Sequence, residues 1–125
     1  MPAALRPRLR LSLQYQGDDA TIRGRLADAG IAIEIAPFFA DMASRLVRAC
    51  LVISRAGAST MADITAVGRP AILVPIPRAG SSAEQRRNAL AFEAAGAGWH
   101  LDEDALAGGA LAPLLLRLFT GGALP

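Results

Sequence analysis

Two short apolar runs, each followed by a turn and a segment of helical length, constrain the fold of this chain most. Residues 51–53 (LVI) lead into a turn of small residues and a helix that ends at Val67. Residues 70–75 (PAILVP) lead into a polar loop and a helix over 83–95. Neither run alternates apolar with polar residues, which is typical of strands that are buried on both faces. Strands that alternate with helices at this spacing predict βαβ units and a parallel sheet.

The first third of the chain predicts the same alternation. Residues 9–15 alternate apolar and polar side chains, which indicates a strand with one apolar face, and a second strand covers 31–36. Asp19 is expected to cap the helix between them, and Gly30 to end it. The remaining predicted elements are a helix over 41–49, an extended segment over 99–101 and a helix over 111–119. We therefore expect a single α/β domain over residues 1–125, with a Rossmann-like parallel sheet flanked by helices.

Composition excludes several classes of function. All 13 basic residues are arginines, so a Walker phosphate loop and lysine Schiff-base chemistry are excluded. The arginines are scattered and the net charge is only +2, so no nucleic-acid partner is expected. Cys50 and His100 are single residues of their types, which argues against a disulfide framework and a zinc site. We therefore expect no metal, and the absence of a long apolar run predicts no membrane-spanning helix.

The turn after residues 51–53 is the first candidate binding site. Gly57, Ala58, Ser59 and Thr60 are small and open a helix, whose N-terminal N–H groups suit a phosphate. Asp63 follows one turn later, where a carboxylate could accept hydrogen bonds from a ribose diol. The alternative is an ordinary capping box between Thr60 and Asp63, which needs no ligand. The local sequence leaves both interpretations open.

Two further groups of residues are candidates. Gln85 and Asn88 lie one helical turn apart, so both amides could bind one polyol, or they could belong to a solvated first turn. Phe38 and Phe39 follow a strand end at Pro37 and could wall a pocket for a base. The alternative for the two phenylalanines is packing against the next helix as a hydrophobic staple.

Three motifs in this order resemble the C-terminal half of the MurG family, in glycosyltransferase family 28. They are residues 51–60 (LVISRAGAST), residues 68–75 (GRPAILVP) and Gln85-x-x-Asn88-Ala89, and the resemblance extends over residues 9–119. The family contains bacterial UDP-GlcNAc transferases that convert lipid I to lipid II in peptidoglycan synthesis. The resemblance implies a GT-B donor-binding domain that begins after the family's first strand and its Gly-Gly-Ser phosphate loop, so an incomplete donor-binding half is expected.

The resemblance also implies a role for each candidate residue. Residues 57–60 would line the sugar and diphosphate of UDP-GlcNAc, and Asp63 would hold the ribose where the family has glutamate. Gln85 and Asn88 would bind the GlcNAc hydroxyls, and Phe39 would contact uracil. No family motif assigns Arg55 or Arg78, but both lie near these loops and are candidates to neutralise the diphosphate. No catalytic residue is expected in this chain, and no cofactor besides the donor substrate.

The expected partners follow from the same resemblance. An acceptor domain, in cis or as a separate subunit, would supply the base and bind the lipid-linked acceptor, so this chain alone should be inactive. An exposed sheet edge predicts a homodimer. The location would be cytoplasmic, with the full enzyme peripheral on the inner membrane. The alternatives are the donor half of another GT-B or split transferase and a non-catalytic partner that kept the fold. A third is a flavodoxin-like signalling domain, but the sequence lacks the acidic cluster with which such domains bind magnesium.

Overall fold

The computed structural model of the protein describes residues 3–77, 80 and 82–121. The chain divides into two compact units, Met1–Met42 and Ala43–Pro125. Arg78 and part of the polar loop predicted before the helix over 83–95 lie outside the described residues.

The first unit contains one βαβ crossover. Strand β1 (Arg10–Gln14) pairs in parallel with β2 (Ala32–Ala36), and helix α1 (Ala20–Asp28) joins them. Gly30 has a φ of 75° and ends α1, as predicted. Asp19 holds the N-cap position of α1, as predicted, but its side chain makes no capping hydrogen bond. Its carboxylate accepts a hydrogen bond from Arg23 Nε at 2.8 Å instead.

The second unit contains a three-stranded parallel sheet of order β3-β4-β5. Its strands are β3 (Val52–Ser54), β4 (Ala71–Leu73) and β5 (Gly98–His100). The helices numbered with this unit are α2 (Met42–Arg48), α3 (Ala58–Val67), α4 (Ser82–Ala94), α5 (Glu103–Ala107) and α6 (Leu111–Thr120). Helix α2 begins at the last residue of the first unit.

Strand β4 is central and has apolar contacts on both faces. Ala71 and Leu73 pack with Ile64 of α3 and Ala89 of α4. Ile72 points to the opposite face, where it clusters with Val74 and with Leu118 of α6. Burial on both faces explains why the sequence there is a continuous apolar run.

The predicted α/β class is confirmed: all described strand pairings are parallel and helices flank the strands. The described strands form two small sheets. The assignment of residues 1–125 to a single domain stays a prediction. Within the part of the chain that the structure describes, no helix is long and apolar enough to cross a bilayer.

Candidate functional site

The loop between β3 and α3 presents free backbone N–H groups at the carboxyl end of a parallel strand. Gly57 is the N-cap of α3, and the first intrahelical hydrogen bond runs from Met61 N–H to the Gly57 carbonyl at 2.9 Å. The N–H groups of Ala58, Ser59 and Thr60 therefore precede the intrahelical ladder. The capping-box alternative is wrong, because Thr60 is the third residue of the helix and not its cap.

Gly57 itself adopts an ordinary backbone conformation. Its φ of −66° and ψ of 149° are open to any residue. A Cβ atom added there would lie 3.8 Å from Gln85 Nε2, which is normal van der Waals contact. The fold therefore does not require glycine at this position, although glycine leaves the backbone open to a ligand.

The first turns of helix α3 carry exposed polar side chains. Ser59 and Asp63 are exposed and lie one turn apart, next to exposed Thr60. Ile64, one turn after Thr60, is completely buried. The hydroxyls and the carboxylate are thus accessible close to the N-terminus of the helix.

Gln85 and Asn88 share a face of α4, as predicted, and both contact the backbone of Ala56. Gln85 Oε1 accepts hydrogen bonds from the N–H of Ile76 at 3.0 Å and of Ala56 at 3.4 Å. Asn88 Nδ2 donates to the Ala56 carbonyl at 3.0 Å. Gln85 is only 6% exposed, so the solvated-turn alternative is wrong for this residue.

Arg55 pairs with a carboxylate that the sequence did not point to. Its Nη1 lies 2.5 Å from Glu103 Oε2 and also donates to the carbonyls of Val74 and Pro75, at 3.3 and 3.4 Å. The hydrogen bond from Arg55 holds the pKa of the Glu103 carboxyl below its ordinary value. The guanidinium of Arg55 is therefore already engaged in an ion pair with Glu103.

Phe38 and Phe39 lie on the loop after β2 and differ sharply in exposure. Phe39 is 6% exposed and Phe38 is 73% exposed. Burial of the Phe39 ring favours the packing alternative for that side chain. Contact between Phe39 and a base stays a prediction.

A second cluster that sequence reasoning missed surrounds the start of α5. Arg86 Nη1 lies 3.0 Å from Asp102 Oδ1. Both residues line a cavity of about 510 Å³, and Glu103 lines it too. Asp102 holds the N-cap position of α5, and Glu103 and Asp104 occupy its first turn. Consecutive acidic residues are typical of helix starts and could have revealed α5. Among the residues described, no group of three or more His, Cys, Asp and Glu is placed to hold a metal ion.

A parallel α/β sheet whose strand leads through a small-residue loop into an open helix N-terminus is typical of nucleotide-binding domains. The chain belongs to glycosyltransferase family 28: residues 4–123 match the domain described as "Glycosyltransferase family 28 C-terminal domain". Together with the relatives described next, this match confirms the predicted resemblance to the C-terminal domain of the MurG family.

Three curated relatives carry the same name, UDP-N-acetylglucosamine–N-acetylmuramyl-(pentapeptide) pyrophosphoryl-undecaprenol N-acetylglucosamine transferase. The relative from Paramagnetospirillum magneticum is 45% identical over 96% of this chain and 32% of its own length. The relative from Rhodospirillum centenum is 41% identical over the same shares. The relative from Chelativorans sp. is 48% identical over 77% of this chain and 26% of its own length. The chain thus spans about a third or less of these relatives.

The ligand roles of residues 57–60, Asp63, Gln85 and Asn88 stay predictions. The structure brings Gln85 and Asn88 against the residue that precedes Gly57. It places Asp63 on the exposed face of the helix that Gly57 begins. The candidate residues of the second unit therefore lie on two adjoining features, the β3–α3 loop and α4.

Proposed function

We propose that this chain is the UDP-GlcNAc-binding domain of an inverting glycosyltransferase. The full enzyme would transfer GlcNAc to undecaprenyl-diphospho-MurNAc-pentapeptide, the reaction that makes lipid II from lipid I. The observation that carries the proposal is the open N-terminus of α3 with Asp63 one turn further on, in a chain of this family. The names of the relatives support the choice of donor and acceptor.

The chain would contribute binding and leaving-group stabilisation. The N–H groups of Ala58, Ser59 and Thr60 would receive the diphosphate, where the helix dipole favours negative charge. Asp63 would accept hydrogen bonds from the ribose hydroxyls, with Phe39 the predicted contact of the base. These interactions strengthen as the diphosphate gains charge, which lowers the barrier to its departure.

The rest of the reaction would take place on residues outside this chain. The acceptor hydroxyl attacks the anomeric carbon, the bond from that carbon to the diphosphate oxygen breaks, and the electron pair leaves with UDP. The hydroxyl proton passes to a base on an acceptor domain, in cis or in a separate subunit, which also binds the lipid-linked acceptor. No cofactor besides the donor is part of this proposal.

Titration of the chain with UDP-GlcNAc by calorimetry tests the proposal. Asp63→Ala should weaken binding about tenfold or more, because hydrogen bonds to a charged group contribute about 1.5–3 kcal/mol. Asp28→Ala, which removes an exposed aspartate at the end of α1, is the matched control and should leave affinity unchanged.

Competing ligands and a supplied partner sharpen the result. UDP-glucose and dTDP-sugars should compete poorly, whereas equal competition would favour another GT-B transferase with a different donor. The titration is repeated with the N-terminal two-thirds of the Paramagnetospirillum relative added. A folded chain that binds no UDP-GlcNAc in either experiment would contradict the proposal and favour a non-catalytic partner.

Location and self-association are further parts of the proposal. The full enzyme would act at the cytoplasmic face of the inner membrane, where its lipid-linked acceptor is made. In the described sheets β1 pairs only with β2 and β3 pairs only with β4, and Ile53 on β3 is 43% exposed. Such edges favour a homodimer of the isolated chain. A concentration-independent monomer in sedimentation experiments would contradict the dimer.

A further inference from the structure

Both polar backbone groups of Ala56 are held by side chains of α4. Gln85 Oε1 accepts from its N–H at 3.4 Å, and Asn88 Nδ2 donates to its carbonyl at 3.0 Å. Ala56 is completely buried, so water cannot replace these two hydrogen bonds. The two amides therefore fix the position of a single residue from both sides.

The same Gln85 oxygen also holds a second loop. Oε1 accepts from the N–H of Ile76 at 3.0 Å, and Ile76 follows β4 just as Ala56 follows β3. One side chain thus joins the loops that leave two neighbouring parallel strands. Because Gln85 is itself buried, its amide is fixed by packing as well as by these bonds.

The position of Ala56 determines the start of α3. It immediately precedes Gly57, the N-cap, whose carbonyl accepts the first intrahelical bond. A shift of Ala56 would therefore move the N–H groups of residues 58–60, on which an anion would bind. Hydrogen bonds to an anion weaken steeply with distance and angle, so a displacement of this kind reduces affinity.

We infer that Gln85 and Asn88 are positioning residues, which hold the β3–α3 loop in the geometry that binds the nucleotide diphosphate. The inference rests on the proposed function and differs from a role in binding the sugar hydroxyls. If the pair positions the loop, its loss lowers the affinity for every ligand that carries the diphosphate, with or without a sugar. If the pair binds the sugar, its loss lowers only the affinity for the nucleotide sugar.

Binding of UDP and of UDP-GlcNAc to the full chain separates the two roles. Gln85→Met and Asn88→Leu remove the amides and approximately keep the side-chain volume. Each variant should weaken the binding of UDP and the binding of UDP-GlcNAc by the same factor, about tenfold or more. Loss of affinity for UDP-GlcNAc with unchanged affinity for UDP would overturn the inference.

Amide hydrogen exchange in the ligand-free chain gives a readout that does not depend on binding. Gln85→Met should speed exchange of the Ala56 and Ile76 amides about tenfold or more, while the amide of Leu73 in β4 keeps its native rate. Gln85→Glu retains an oxygen acceptor and should restore slow exchange. Arg87→Met, at an exposed position of α4, is the matched control and should change neither exchange nor affinity.

The outcomes distinguish failure of this inference from failure of the proposed function. A native chain that binds no UDP contradicts the proposed function. Unchanged exchange of Ala56 and Ile76 in Gln85→Met contradicts the positioning role whatever the binding result. If Gln85→Met also speeds exchange of Leu73, the fold is affected globally, and the binding of UDP and UDP-GlcNAc to Asn88→Leu provides the test instead. Asn88 holds only the Ala56 carbonyl, so equal weakening of both ligands supports the positioning role, whereas weakening of UDP-GlcNAc alone contradicts it.

Discussion

Arg55 Nη1 lies 2.5 Å from Glu103 Oε2, so an ion pair joins the residue after β3 to the first residue of α5. This contact lowers the pKa of Glu103. Arg55→Gln should therefore raise that pKa toward the ordinary value of glutamate. A titration of the Glu103 carboxyl carbon by NMR, in the native chain and the variant, measures the change. An identical pKa in both chains would contradict the assignment of Arg55 as its cause.

The same pair makes a defined contribution to the pH dependence of stability. A carboxyl whose pKa is lower in the folded than in the unfolded protein stabilises the fold. This contribution to the free energy of unfolding is complete above the unfolded-state pKa and is lost as the pH falls through the folded-state pKa. Both side chains are partly exposed, so the effect should be small and screened by salt. Denaturation by urea between neutral and acidic pH should show a weaker pH dependence in Glu103→Gln than in the native chain.

Gly57→Ala should separate folding from ligand binding. A Cβ fits at this position with ordinary contacts, so the free energy of unfolding should change by less than about 0.5 kcal/mol. The added methyl group would stand beside the N–H groups of α3 and should weaken binding of UDP. Urea denaturation and calorimetry measure the two effects, and unchanged affinity for UDP would argue against a diphosphate at this loop.

Gly98→Ala should damage the sheet. A Cβ at Gly98 would collide with the Ala71 carbonyl on the paired strand β4 and would lie 2.7 Å from Phe92 Cε1. We expect the free energy of unfolding to fall by several kcal/mol, of the order seen for overpacked cores. Gly24→Ala is the matched control, because Gly24 lies inside α1 with open space around it. This substitution should raise the free energy of unfolding by about 0.5–1 kcal/mol. Equal melting temperatures for Gly98→Ala and the native chain would contradict the close approach of β4 and β5.

Two isoleucines provide a test of the described core. Ile64→Ala removes a completely buried side chain and should cost about 2–5 kcal/mol. Ile53→Ala, at the partly exposed position on β3, should cost less than half as much, because less apolar surface leaves water there. Chemical denaturation compares them, and similar losses would contradict the difference in burial.

The strands and long helices could be predicted because their signals are local. The continuous apolar run at residues 70–75 indicates a strand buried on both faces, and β4 occupies Ala71–Leu73 within it. Gly30 and Gly68 each end a helix with a positive φ, which glycine adopts without strain. The helix start at Ala58 instead of after Thr60 was missed, since Ser and Thr remain good cap candidates wherever they stand.

The contacts of the candidate site could not be predicted, because they join distant parts of the chain. Gln85 reaches a backbone N–H 29 residues away, and Arg55 reaches a carboxylate 48 residues away. A glutamine and an arginine can both form such hydrogen bonds, but the residue type alone does not indicate which partner each one contacts. The predicted ligand roles came from family resemblance, whereas the packing of Gln85 against Ala56 becomes visible only in three dimensions.

The parallel sheet of the second unit has a consequence for how quickly it assembles. Strands β3, β4 and β5 follow one another in the chain, but α3 separates β3 from β4 and α4 separates β4 from β5. Each pairing must close a long loop before any ladder hydrogen bond forms, and such closure is entropically unfavourable. Refolding of this unit should therefore be slower than that of a helical bundle of similar size.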